Sequence, residues 1–169
     1  MARRAVARCA LAWCMRAETA AVATYARFKV GPEQYCVLVD YVVEIRELGD
    51  CTPVPGTPPA ILGVRNVRGQ VLPVADLASL LGVPSSAAPG LMLVAEDAGL
   101  SVGLAISDVV DVGALPEPSP AGDLPGPDLQ GSGLAARPGL VTSTILTDGE
   151  LVGVVDMPKV FVALAETAS

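Results

Sequence analysis

The chain has 169 residues, 51% hydrophobic but only 4% aromatic, with 17 glycines and 15 prolines; this suits one ordinary domain, or two small barrels sharing a core, built mostly from short β-strands and turns. Its net charge of −7 is unevenly spread: residues 1–30 hold six Lys/Arg against one acid, and the remainder five against seventeen, so the acidic, aromatic-poor body is no nucleic-acid binder. There is no histidine, and the four cysteines (Cys9, Cys14, Cys36, Cys51) form no CxxC pair, which removes the usual parts of zinc sites and of Cys-His or Ser-His-Asp catalysis.

The thiols are therefore expected to be reduced and mostly buried, in a cytoplasmic protein needing no metal or cofactor. No uninterrupted apolar run in the sequence approaches the ~20 residues that span a bilayer, so no direct membrane contact is expected.

Residues 1–24 differ from the rest. Arg3, Arg4 and Arg8 precede the short apolar run Cys9–Met15, then Arg16 and the small-residue tract Ala20-Ala21-Val22-Ala23. This is either a signal peptide with a cleavage site at Ala21-Val22-Ala23 or an N-terminal extension, disordered, weakly helical or reflecting a start codon placed too far upstream. The short apolar run, and Arg16 and Glu18 directly after it, favour the extension.

From Tyr25 onward the pattern is strands and turns. Tyr25–Val30 and Tyr35–Val39 read as strands about a Gly31-Pro32 turn. Asp40 is expected to cap a single helical turn carrying Val42, Val43 and Ile45. The prolines of Thr52–Pro59 impose a rigid extended connector. Gly63–Arg68 and Gln70–Ala75 form a hairpin turning near Arg68-Gly69, and Asp76 N-caps a short helix of Leu77, Leu80 and Leu81 with Gly82 at its C-cap, closing the first half.

A second half begins with Leu91–Ala95, turns at Asp97-Ala98-Gly99, and continues with Leu100, Val102, Leu104 and Ile106 at period two, opposite the small residues Ser101, Gly103 and Ala105. Asp108 and Asp111 are placed in a solvated turn, and Gly113–Gly139 in a long surface loop. Leu140–Leu146 and Leu151–Val155 form a hairpin about Asp148-Gly149, and Asp156 caps a final helix with Val160, Phe161 and Leu164 on its buried side. About ten short strands in two hairpin-rich halves fit paired small barrels or a single sandwich, which periodicity does not separate.

Several of these blocks, in order, resemble the CheW family: Gln34–Val39 followed by Glu44-Ile45, the proline-rich connector, Ile61-Leu62-Gly63, Asn66-Val67-Arg68-Gly69, Leu72–Leu77, Val102-Gly103-Leu104, Asp108–Val112 and Val154-Val155-Asp156. The resemblance makes residues 25–165 a CheW-like domain. It implies two packed five-stranded SH3-like barrels with short helices and no enzymatic activity. Two partners are implied as well: the regulatory domain of a CheA-type histidine kinase and the cytoplasmic tip of a chemoreceptor. The positions matching receptor contacts are Val42, Glu44, Ile45, Gly63, Arg68, Val109 and Val112. An apolar groove of the valines and Ile45 would take the ridge of a receptor helix, with Glu44 and Arg68 fixing its register. Ser107 stands where the family usually has aspartate, and Val67 where it usually has leucine.

Each of these residues also has a plainer role. The aliphatics suit the core between barrels, Gly63 and Gly69 suit backbone geometry, and Glu44 and Arg68 suit an intramolecular pair. Asp76 and Asp156 suit helix caps, and Asp148-Gly149 a turn. A carboxylate or metal enzyme using Asp40, Asp76, Asp108 or Asp156 finds no spacing that places them on one face.

Overall fold

The computed structural model describes residues 22–84, 88–120 and 139–167. Residues 1–21 of the expected extension and 121–138 of the expected Gly113–Gly139 loop lie outside those residues, while Thr24 already belongs to the first strand.

Among the described residues, eleven strands form two antiparallel-rich sheets. The first contains β1 (Thr24–Val30), β2 (Glu33–Leu38), β8 (Asp108–Ala114), β9 (Ser119–Pro120), β10 (Val141–Thr147) and β11 (Glu150–Val155), in the order β8-β1-β2-β11-β10-β9. The second contains β3 (Val42–Glu47), β4 (Ile61–Val67), β5 (Gln70–Asp76), β6 (Leu91–Asp97) and β7 (Leu100–Ile106), in the order β3-β6-β7-β5-β4. Helix α1 (Leu77–Leu81) follows β5, and α2 (Met157–Thr167) follows β11. Setting aside the two-residue β9, each sheet has five strands. The fold is mostly β, as the composition indicates.

Each sheet curls so that its edges meet. In the second, the chain leaving β3 returns at Thr52, whose N–H donates to the Val64 carbonyl of β4 at 2.9 Å while the Val64 N–H donates back at 2.9 Å. In the first, the chain leaving β8 returns as β9, where Ser119 lies opposite Thr144 of β10. We call the two units the central barrel (β3–β7) and the terminal barrel (β1, β2, β8–β11).

The barrels do not follow the two halves of the sequence. The hairpin β6–β7, expected in a second half, pairs with β3 and β5, while β1 and β2 pair with β8 and β11. The central barrel is thus one continuous segment enclosed in sequence by the strands of the other. Parallel pairing explains why the halves are not self-sufficient: β5 and β11 each meet a parallel partner, β7 and β2 respectively, and parallel strands cannot be joined by a tight hairpin.

The barrels repeat one plan. Along each sheet the pairings run antiparallel, antiparallel, parallel, antiparallel. Bulges recur at matching places, at Val43 in β3 and Val110 in β8, and at Leu62 in β4 and Thr142 in β10. The turns Arg68-Gly69 (φ 52° and 82°) and Asp148-Gly149 (φ 53° and 76°) correspond, with the successive positive φ values that two-residue hairpins favour. The caps correspond too. The Asp76 carboxylate accepts from the Ala78 N–H at 3.2 Å and the Ser79 hydroxyl at 2.7 Å, and Asp156 accepts from the Lys159 N–H at 3.3 Å. Gly82, at φ 70°, closes α1 as expected.

Three cores hold this together. Tyr25, Cys36, Ile145, Val152 and Val154 fill the terminal barrel, and Val67, Leu72, Val74, Met92 and Val94 the central one. The largest cluster lies between them: Ala26, Phe28 and Val37 from one side, Leu93, Val102 and Leu104 from the other, with Leu77 of α1 and Val160 of α2. Strands such as β6 are therefore buried on both faces, which is why Leu91–Ala95 reads as a continuous apolar run. Gly103 and Ala105 of β7 are buried as well, and Ser101 partly so; a Cβ at Gly103 would press on Met92 and Leu72 inside the barrel.

Two local expectations are corrected. Val42–Glu47 is a strand; the helical turn precedes it, at Val39–Tyr41, with Leu38 at the N-cap position and no side-chain cap from Asp40. Val42 and Ile45 are β-branched and have β6 available as a partner, which outweighs a single capped turn. Asp108 and Asp111 likewise lie in strand β8, where pairing with β1 overrides the loop-like composition.

Candidate functional site

The residues singled out by the sequence concentrate on two strands that hold equivalent places in the two barrels, β3 and β8. Each forms one end of its sheet's strand order. In β3, Val42 lies opposite Ala95 and Ile45 opposite Leu93. In β8, Val109 lies opposite Phe28 and Val112 opposite Ala26. Opposed residues on antiparallel strands point to the same face, and all four partners belong to the cluster between the barrels. The four aliphatics therefore face the seam. Val42, Ile45 and Val109 are partly buried against that cluster, while Val112 stands 57% exposed at its margin.

Alignment of the barrels superimposes Val42-Val43-Glu44-Ile45 on Val109-Val110-Asp111-Val112, bulge on bulge. Val43 and Val110, squeezed out of the ladders, are exposed. This echo was the signal in the sequence that would have added Asp111 to the candidate residues.

Each strand also carries a charged cluster, on the face that alternates with the seam: Glu44 lies opposite Val94, and Asp111 opposite Arg27. The Arg68 guanidinium donates to the Glu44 carboxylate at 2.7 Å, and Arg46 lies 3.4 Å from the same group. Glu44 is largely covered, but the Arg68 side chain is 79% exposed. Pair formation, one of the two roles the sequence left open for Arg68, thus leaves the arginine oriented and exposed. The Arg65 guanidinium donates to the Glu47 carbonyl at 2.6 Å, adding a second tie between β4 and β3.

In the terminal barrel Arg27, only 11% exposed, grips Asp111 with two parallel bonds of 2.5 Å and reaches Asp148 at 3.6 Å. The bond from Arg27 holds the Asp111 carboxyl below the usual aspartate range, and the same bond raises Arg27. Sequence reasoning gave neither Arg27 nor Asp148 a charge role; the first falls inside a strand and the second at a turn, and only the fold brings them together.

The glycines serve backbone geometry. Gly63 has φ 143°, and a Cβ there would run into the Thr52 carbonyl that closes the barrel. Gly69 completes the turn that presents Arg68, and its N–H donates to the Asn66 side chain at 2.9 Å. Ser107 accepts from the Gly31 N–H at 3.0 Å, tying the β7–β8 junction to the β1–β2 turn.

The described thiols are held in the protonated form. Burial pushes the Cys36 thiol up to about 12 and raises Cys51. Among the described residues no three His, Cys, Asp or Glu side chains are grouped to hold a metal, and no helix is long and apolar enough to cross a membrane. What the site offers is a partly apolar seam with oriented charges on the alternating faces of β3 and β8, a surface suited to recognition.

A family model described as the CheW-like domain matches residues 24–165. The chain belongs to the CheW-like family. It is 37% identical over 87 residues to chemotaxis protein CheW of Rhizobium meliloti (strain 1021), covering 50% of this chain and 56% of that one. It is 44% identical over 54 residues to protein FrzA of Myxococcus xanthus, covering 32% of this chain and 34% of that one. The chain thus spans about half the length, or less, of these curated relatives. The CheW-like fold itself recurs in the crystal structure of the scaffolding protein TtCheW from Thermoanaerobacter tengcongensis, with a TM-score of 0.68 and 22% identity over 79% of this chain and 88% of that one. That likeness supports the two SH3-like barrels described above.

Proposed function

We propose that this CheW-like chain is a non-catalytic, cytoplasmic adaptor that couples the cytoplasmic tips of chemoreceptors to a CheA-type histidine kinase. The observation that carries the reading is the arrangement at the seam: Val42, Ile45, Val109 and Val112 face one inter-barrel cluster, and exposed Arg68 is oriented over Glu44. An amphipathic receptor helix would lay its apolar ridge along these aliphatics, with Glu44 and Arg68 setting its register. The kinase regulatory domain would dock elsewhere on the barrels, so that the adaptor holds both partners and raises the effective concentration of each. Membrane association would come only through the receptor.

The test is a titration of the full chain with the kinase regulatory domain, in parallel with Arg68→Ala and Val42→Glu presented to a receptor-tip fragment. Saturable kinase binding, with receptor binding weakened in Arg68→Ala and lost in Val42→Glu, supports the adaptor. Absence of kinase binding by folded protein refutes the chemotaxis assignment. The alternative is a CheW-like interaction module serving another sensor-kinase complex; binding to that complex's kinase, and not to a CheA-type one, would establish it.

A further inference from the structure

The two barrels share strand order, bulges and hairpin turns, yet they differ in the fourth residue before the turn glycine. Arg65 lies opposite Leu72, and its counterpart Ile145 lies opposite Val152, in ladders that start from equivalent turns. Leu72, Ile145 and Val152 are all core residues. Opposed residues on antiparallel strands share a face, so the Arg65 side chain starts on the core face of the central barrel, where the other barrel has an aliphatic. An arginine there forgoes apolar packing. In exchange it makes a contact with β3.

Strands β3 and β4 are the two ends of the central strand order, and among the described residues β3 has a ladder on one side only, with β6. On the side toward β4, the Val64 backbone pairs with Thr52, in the chain beyond β3, and not with β3 itself. Two arginine side chains cross that interval. Arg68 donates to the Glu44 carboxylate at 2.7 Å, within the strand, and Arg65 donates to the Glu47 carbonyl at 2.6 Å, at its end. The Arg65 bond is to backbone, so it fixes the path of the chain and not merely a side-chain rotamer.

The following loop makes room for this bond. Gly49 has φ 56°, and a Cβ there would lie 2.8 Å from Arg65 Nη2 and 3.0 Å from its Cζ and Nη1. The guanidinium thus rests directly against the glycine, and any larger residue would push it off the carbonyl.

We infer that Arg65 is a positioning residue of the receptor site: by holding the Glu47 carbonyl it fixes the unladdered edge of β3 and with it Val42, Glu44 and Ile45, which the receptor helix would meet. Ordering these groups before the ligand arrives removes part of the cost of binding, and this requires no contact between Arg65 and the ligand. The inference rests on the adaptor reading and deepens it, adding Arg65 and Gly49 as the support beneath the β3 contacts.

Two variants break the same bond by different routes. Arg65→Met removes the donor and keeps an unbranched side chain that suits a core face. Gly49→Ala retains the arginine but displaces its head group, and alanine already accepts φ 50° at Ala98 of this chain. Gly56→Ala, at φ 82° with no atom within 4 Å of the added Cβ, is the control for backbone strain. The full chain is titrated with a soluble receptor-tip fragment and separately with the kinase regulatory domain, with Val42→Glu alongside, and amide exchange is followed in β3 and β7. The expected result is receptor affinity lowered about three- to tenfold in both Arg65→Met and Gly49→Ala. Exchange in β3 should quicken in both, with β7 exchange and kinase affinity unchanged and Gly56→Ala like the parent. The double variant should lose no more than either single one, because one contact is removed twice.

If Arg65→Met and Gly49→Ala bind the tip like the parent while Val42→Glu does not, this inference falls and the groove reading stands. If Val42→Glu also binds normally, both fall. Equal losses of receptor and kinase binding, with faster exchange in β7 as well as β3, would make Arg65 a support of the whole fold and overturn its role at the receptor site.

Discussion

Arg27 occupies a strand position whose equivalent in the other barrel is Val94, inside the central core. An arginine there requires a partner, and Asp111 supplies two 2.5 Å bonds at the half-exposed mouth of the barrel. Because Asp111 titrates lower when folded, its contribution is fully present above the ordinary aspartate pKa and is lost as the pH falls through the lowered value. Asp111→Asn should therefore be less stable than the parent at neutral pH, with the difference narrowing at about pH 3, as measured by urea unfolding at the two pH values. A constant difference would deny the linkage. Gly63 gives an uncharged counterpart: Gly63→Ala forces a Cβ toward the Thr52 carbonyl at φ 143° and should cost about 1–3 kcal/mol, read from the unfolding midpoint.

At the scale of elements, edge strands and caps carry different kinds of information. The caps were legible because their signal is local. Asp76 and Asp156 precede apolar helical runs, and each accepts a backbone N–H. Replacing either by Ala should cost about 1 kcal/mol, and the two losses should add in the double variant because the caps belong to different barrels. The Arg68-Gly69 and Asp148-Gly149 hairpins were legible for the same reason. Strand β3 was not. Val42-Val43-Glu44-Ile45 has no strict alternation, because bulged Val43 shifts the period, and its strand character comes from β6, some fifty residues later in sequence. The β8 echo suffers the same shift at Val110. Family resemblance named the aliphatics, Glu44 and Arg68, but not the charged trio of Arg27, Asp111 and Asp148, in which the first aspartate lies 84 residues beyond the arginine and the second further still. Pairing of that range leaves no periodic trace.

For the molecule as a whole, the decisive feature is that its largest core is shared. Leu104 and Leu93 of the central barrel pack in the same cluster as Phe28 and Val37 of the terminal one, with both helices contributing. Neither barrel can open that face without exposing the other's apolar surface, and the terminal barrel cannot form until the chain on both sides of the central one has folded. The two barrels should therefore unfold together. Leu104→Ala, in the central barrel, should cost about 2–5 kcal/mol. The same variant should speed alkylation of Cys36, which lies inside the terminal barrel and whose thiol is pushed up to about 12. The measurement is Cys36 labelling followed alongside amide exchange in β6 and β7 through a urea series. Coincident shifts mean that the seam transmits stability from barrel to barrel, so a ligand bound across it would tighten both. Two separated transitions, with Cys36 unaffected by Leu104→Ala, would mean that the barrels are independent and that binding at β3 carries no mechanical consequence for β8.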